Sequence, residues 1–147
     1  MIIRDILTVK KEGVIYSVAP EQTIAEAVVL MVQSDIGSLV VHRDGFMAGL
    51  LTERDVLRGI RAHGAAALAM PVSRMMVVQP LFGSPDDTVD YVRGVMTQNR
   101  ISHLPVMEGD NVIGIISYHD VAKACLNQAD FENTLLKRYI KHWPEQG

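Results

Sequence analysis

The sequence predicts an α+β fold made of two tandem β-α-β-β-α units followed by a C-terminal helix. Three observations predict it. The stretch Gly49-Leu50-Leu51-Thr52-Glu53-Arg54-Asp55-Val56 has an echo, Gly114-Ile115-Ile116-Ser117-Tyr118-His119-Asp120-Val121, 114 − 49 = 65 residues later. The offset holds without a gap from Pro20–Leu57 onto Pro85–Ala122, where ten of 38 pairs are identical, Thr23/Thr88, Met31/Met96, Ile36/Ile101 and Asp55/Asp120 among them. That regularity marks a duplication, and two copies fall short of the roughly three units a solenoid needs. Finally, the apolar pattern within each copy passes from strand to helix and back in the same order.

The elements follow in turn. Ile3–Leu7 reads as a short helical lead-in, and Lys10-Lys11-Glu12-Gly13 as a polar break. Val14–Val18 has the β-branched and aromatic content of a strand, closed by Pro20. Thr23 and Glu26 have capping-box spacing, and Ile24, Ala27, Val28 and Met31 form one apolar helical face. Gly37 marks the exit from that helix. Ser38–Val41 and Met47–Leu51 are the arms of a hairpin whose turn is signalled by Asp44-Gly45. Thr52 opens a second helix that runs to about His63.

Gly64–Ala69 reads as a flexible linker, and Pro71–Met76 resembles the N-terminal lead-in. In the second unit, Leu81–Gly83 is a weak first strand. Thr88 caps a helix with Val89, Val92 and Met96 on its apolar face. His103–Val106 and Asn111–Ile116 form the second hairpin, and Ser117 opens the last helix. The expected boundaries are 1–65 for the first unit with its lead-in, 66–128 for the linker and second unit, and 129–147 for a helical tail. In the tail Phe131, Leu135 and Tyr139 recur every four residues, with Leu136, Ile140 and Trp143 beside them. This spacing points to packing, within the chain or in a dimer. Lys137, Arg138, Lys141 and His142 suit the negative pole of a helix.

Composition narrows the function. A formal charge of −3 lacks the basic footprint of a dedicated nucleic-acid binder. No apolar run approaches the ~18 residues of a membrane span, and the N-terminus does not read as a signal peptide. A cytoplasmic protein is therefore expected. The single cysteine, Cys125, cannot form an intrachain disulfide and sits in an apolar helical stretch that suits core packing. His42, His63, His103, His119 and His142 show no ligand spacing. Neither a nucleophile constellation nor a glycine-rich phosphate loop is visible, so no catalytic set is expected and no metal or cofactor is required.

The repeated stretch carries the candidate chemistry. Thr52 and Asp55, like Ser117 and Asp120, lie three apart on the first turn of a helix. Unpaired N–H groups and the positive pole of the dipole favour an anion there. The hydroxyl can donate to a phosphate, the carboxylate can accept from a ribose diol, and the preceding glycine lets another group approach closely. The same spacing is equally that of an N-cap with an acid placed for the dipole. His119 and Arg54 either reach the phosphate or are solvated, and His103 is either a ligand contact or a satisfied histidine at a strand end.

Taken together, Gly49–Asp55, Ile101-Ser102-His103-Leu104-Pro105-Val106 and Gly114–Asp120 resemble the cystathionine-β-synthase (CBS) domain. Two in tandem resemble a Bateman module, over roughly residues 3–128, and the tail is similar to that of stand-alone bacterial CBS-pair proteins. The resemblance implies two units related by a pseudo-twofold axis with two clefts between them. It also implies regulatory binding of an adenine ligand: AMP, ADP, ATP, NAD or S-adenosylmethionine. By the same resemblance Asp55 and Asp120 hold ribose hydroxyls, and Thr52 and Ser117 contact phosphate with Arg54 and His119 nearby. His103 then sits at a phosphate-binding position, and Tyr16 and Leu81 help line adenine pockets. A homodimer and a regulated protein partner are implied, and neither nucleic acid nor membrane. The chain departs from the family at Ser102, where an arginine is frequent, and at His119, where a glycine is frequent. The second site is therefore expected to prefer a different ligand or to be altered in function. The rival expectation is a structural interaction module with empty clefts.

Overall fold

The computed structural model describes residues 1–10 and 15–139. Its elements in chain order are α1 (Ile3–Val9), β1 (Ser17–Val18), α2 (Ile24–Ser34), β2 (Ser38–Arg43), β3 (Phe46–Thr52), α3 (Glu53–His63), α4 (Val89–Asn99), β4 (His103–Glu108), β5 (Asn111–Ser117) and α5 (Tyr118–Tyr139). One sheet has the order β1-β2-β3, with β1 parallel to β2 and β2 antiparallel to β3. The other is the β4-β5 hairpin. This is the mixed α/β architecture the repeat predicts.

The duplication is visible in the register. Ser38 faces Thr52 and His103 faces Ser117, and both hairpins shift register at the same place, after Val41 and after Val106. The turns differ in detail. Asp44 and Gly45 both have positive φ, whereas in the second turn Gly109 does. Thr23 and Thr88 cap α2 and α4, each accepting from the N–H three residues on. The Glu26 carboxylate accepts from the Gln22 side-chain amide instead of closing a capping box.

The two lead-ins cross over. The N–H groups of Ile3 and Arg4 donate to Asp87 and Pro85 in the second unit, while those of Val72 and Ser73 donate to Gln22 and Pro20 in the first. Between units the partners differ by 87 − 22 = 65 residues, and between lead-ins by 72 − 3 = 69, so the two crossings are equivalent. Each unit's core is completed by the other's lead-in. Ile3 and Ile6 join Val89, Val92, Met96, Leu104, Val106, Ile116 and Val121. Val72 joins Val18, Ile24, Leu39, Val41, Leu51 and Val56.

Four local expectations are corrected. Gly64–Ala69 is a 3-10 helix with Ala67 fully buried, because small side chains let it pack under α2 and α3. Leu81–Gly83 forms no strand. Only Gly83 bridges, in parallel, to Val106, and Pro80 and Pro85 nearby supply no N–H donor. The first strand covers only Ser17–Val18, and Val14 lies outside the described residues. In the tail, α5 continues unbroken to Tyr139, and Phe131, Leu135 and Leu136 are exposed, so of the two packings expected the one within the chain is not seen among the described residues. The side chain of Tyr139, and Ile140, Lys141, His142 and Trp143, lie outside the described residues. Cys125 is half-buried against the second core.

Candidate functional site

Both hydroxyl–acid pairs are built as caps. The Thr52 N–H donates to Asp55 Oδ2 at 2.9 Å, the Thr52 hydroxyl donates to the same oxygen at 2.9 Å, and the Asp55 N–H donates back to Thr52 Oγ1 at 3.3 Å. In the second copy the Ser117 N–H donates to Asp120 Oδ2 at 2.9 Å, and the Asp120 N–H to Ser117 Oγ at 3.1 Å. The capping reading therefore holds in both copies, and each acid still has a second oxygen. In the first copy Asp55 is buried and its Oδ1 lies 3.5 Å from Arg58. In the second, Asp120 is half-buried and Lys10 Nζ donates to its Oδ2 at 2.8 Å.

A cavity of about 530 Å³ opens beside the second copy, between the units. Ile115, Ser117, Tyr118 and His119 line one side. Ile15, Tyr16, Ile36 and Gly37 of the first unit line the other, and His103, Glu53, Asp35 and Lys10 also line it. Of the sequence candidates, Tyr16, His103, Ser117 and His119 thus line one cavity, and Asp120 adjoins it through Lys10. Tyr16 of the first unit is brought to the second unit's motif. Thr52, Arg54, Asp55 and Leu81 do not line this cavity. By the 65-residue offset they are the equivalents of Ser117, His119, Asp120 and Tyr16.

The motif glycines answer to the fold. A Cβ on Gly114 would lie 2.6 Å from Leu7 Cδ2, and one on Gly49 would lie 2.7 Å from the Val77 carbonyl oxygen and 2.9 Å from the Met76 sulfur. The group that approaches each glycine is the crossing lead-in, so the expected close approach is by protein.

Lys10 is, with Asp35 and Glu53, among the charged lining residues that sequence reading missed. Its ammonium also donates to the Ile115 carbonyl at 3.0 Å, 105 residues away. As part of a charged break it carries no local mark of that contact. The only available signal was its place just after the lead-in.

Electrostatics distinguish the titratable groups. Burial pushes the His103 imidazole below its ordinary range, and the nearby Glu53 and Asp120 carboxylates do not offset this. Its Nδ1 lies 2.8 Å from Ser102 Oγ. Burial pushes Asp120 up, but the hydrogen bonds from Lys10 and Ser117 outweigh it and hold the carboxyl below its ordinary value. Neutral His103 is thus favoured in the folded state. Its contribution to stability is complete above the unfolded imidazole pKa of about 6.5. It is lost as the pH falls through that value towards the folded one. Urea unfolding of His103→Gln against the parent should show a shallower loss of stability between about pH 7 and pH 5. Equal slopes would contradict the burial of His103. The Asp120 contribution goes in the same direction but is lost only in the acidic carboxylate range.

Among the described residues there is no group of three or more His, Cys, Asp or Glu side chains arranged to hold a metal ion. Nor is any described helix long and apolar enough to cross a membrane.

Comparison with known proteins agrees with this geometry. The CBS-domain family model matches twice, at residues 3–62 and 72–127. The CBS domain-containing protein YhcV of Bacillus subtilis is 34% identical over 106 residues, covering 72% of this chain and 75% of its own. The crystal structure of the CBS-domain containing protein ATU1752 from Agrobacterium tumefaciens superposes with a TM-score of 0.80 at 35% identity, over 84% of this chain and 92% of that one. The CBS domain pair of protein MJ0100, solved in complex with 5-methylthioadenosine and S-adenosyl-L-methionine, shares the fold with a TM-score of 0.76 at 20% identity, over 87% of this chain and 98% of that one.

Proposed function

The chain belongs to the CBS-domain family as a tandem pair, and from that premise we propose that it is a ligand-sensing regulatory module rather than an enzyme. CBS pairs are regulatory modules, and the ligand proposed for this one is an adenine nucleoside or nucleotide: AMP, ADP, ATP, NAD or S-adenosylmethionine. The observation that carries the reading is the cavity to which both units contribute. Its volume of about 530 Å³ lies within the usual range of small-molecule sites. Tyr16, Ile36 and Ile115 offer an apolar wall for a purine, and Asp120 offers a carboxylate oxygen for the ribose diol. Ser117 and His103 supply polar contacts. The adenosine ligands of the MJ0100 pair support the ligand class.

Because the cleft joins two units, occupancy changes what holds them together, and a partner protein or the second copy of a homodimer reads the change. A second reading, an interaction module without a ligand, is favoured by the exposed apolar residues Phe131, Leu135 and Leu136 on α5.

A thermal-shift panel on protein stripped of carried-over ligand separates the two readings. The panel comprises adenosine, AMP, ADP, ATP, NAD, NADH and S-adenosylmethionine. A ligand at 100 times its dissociation constant adds about 2.7 kcal/mol of stability. At least one member is expected to raise the melting temperature, and a flat panel at millimolar concentration would leave the interaction module.

A further inference from the structure

The Lys10 side chain makes, within the protein, the two contacts that a ribose diol needs. Its ammonium donates to Asp120 Oδ2 at 2.8 Å and to the Ile115 carbonyl oxygen at 3.0 Å. A vicinal diol is likewise a pair of adjacent donors, and a carboxylate with a second acceptor beside it satisfies both. Among the described residues Lys10 lines the cavity and Asp120 does not. Of the ion pair, the ammonium is therefore the member that faces a ligand.

The same lysine ends the first lead-in. At the start of α1 the Ile3 and Arg4 N–H groups donate to Asp87 and Pro85 of the second unit, and Ile3 is completely buried. Further along, Leu7 packs against Gly114. At the end, the Lys10 N–H closes the last turn on Ile6 O at 3.0 Å, and the side chain ties that turn to Asp120. The first two attachments are backbone hydrogen bonds and apolar packing. The last is an ion pair whose side chains are 41% and 18% exposed, and a partly exposed pair is weak. A competing donor can therefore free the end of α1 without disturbing its start, and the freed ammonium passes to water.

We propose that Lys10 is a built-in surrogate for the ligand's ribose: it holds Asp120 and Ile115 until a ribose displaces it, and its displacement releases the end of α1 from the second unit. The proposal rests on the adenine-ligand reading and gives it a readout. Occupancy of the cavity becomes freedom of the first lead-in, 110 residues from the acid that the ligand contacts.

Isothermal titration of the full chain with adenosine, for the parent and for Lys10→Met, tests it. Methionine keeps the length and the apolar stem but cannot pair with Asp120, and a thermal melt verifies folding. Because the ligand no longer competes with the ammonium, the variant should bind adenosine about threefold to fivefold tighter. Adenosine is uncharged, so raising the salt from about 0.05 M to about 0.5 M should tighten its binding to the parent, where salt weakens the ion pair, and not to the variant. Amide exchange in the last turn of α1, up to Lys10, should quicken when adenosine is added to the parent and be quick in the variant from the outset. Weaker binding by Lys10→Met would make Lys10 a ligand contact, and that result, equal affinity, or a last turn whose exchange adenosine does not quicken would overturn the displacement while leaving the adenine reading in place. Binding of adenosine, AMP and ATP to neither protein would overturn the adenine reading itself, and the displacement with it.

Discussion

Ile3→Ala is expected to cost about 2–5 kcal/mol of stability, the usual range for emptying a fully buried isoleucine site. Ile3 is completely buried in the core of the second unit, against α4 and α5, and its N–H is bonded to Asp87 O at 2.9 Å. Val9→Ala, on the same helix but mostly exposed, should change stability by no more than about 0.5 kcal/mol. Urea unfolding of the two variants measures the contrast. The Ile3 variant should also lose more of the second unit's amide protection than of the first's. Equal, small effects at both positions would mean that the lead-in is not part of the core.

Asp120→Asn should reduce affinity for the adenosine-type ligand by tenfold or more while the fold survives. The amide keeps the shape of the side chain and an oxygen that can still accept from the Ser117 N–H. It loses the negative charge that attracts Lys10 and that strengthens hydrogen bonds from a ribose diol. Lys10 and Asp120 are both partly exposed, so the stability lost with the ion pair should be at most about 1 kcal/mol. Titration of the variant alongside its thermal melt gives both numbers. A stability loss with unchanged affinity would assign Asp120 to capping alone.

Much of this fold was legible because the duplicated elements are short and strongly patterned. Thr52 to His63 reads directly as a capped helix, and Asp44-Gly45 directly as a hairpin turn. The crossing of the lead-ins was not legible. An apolar helical turn such as Ile3–Leu7 says that it will be buried, not against which unit. The likeness of Pro71–Met76 to it was the trace of the crossing. Gly64–Ala69 misled because small residues carry no periodicity, although smallness is what lets Ala67 pack.

The site divided similarly. Tyr16, His103, Ser117 and His119 were candidates and share a cavity. Their meeting across units, and the reach of Lys10 to Asp120, depend on contacts more than 80 residues apart in sequence, which no local pattern encodes. The motif glycines were visible, but the residues that fill the space beside them, Leu7 and Met76, lie outside the motif.

The most direct measurement of the central claim is a map of backbone amide shifts on addition of adenosine to isotope-labelled protein. The account predicts perturbations at Gly114–Asp120, at Tyr16 and at Ser102–His103, residues from both units that meet only at the cavity between them. Silence at those amides with millimolar adenosine, or shifts confined to the exposed face of α5 from Leu126 to Leu136, would contradict it.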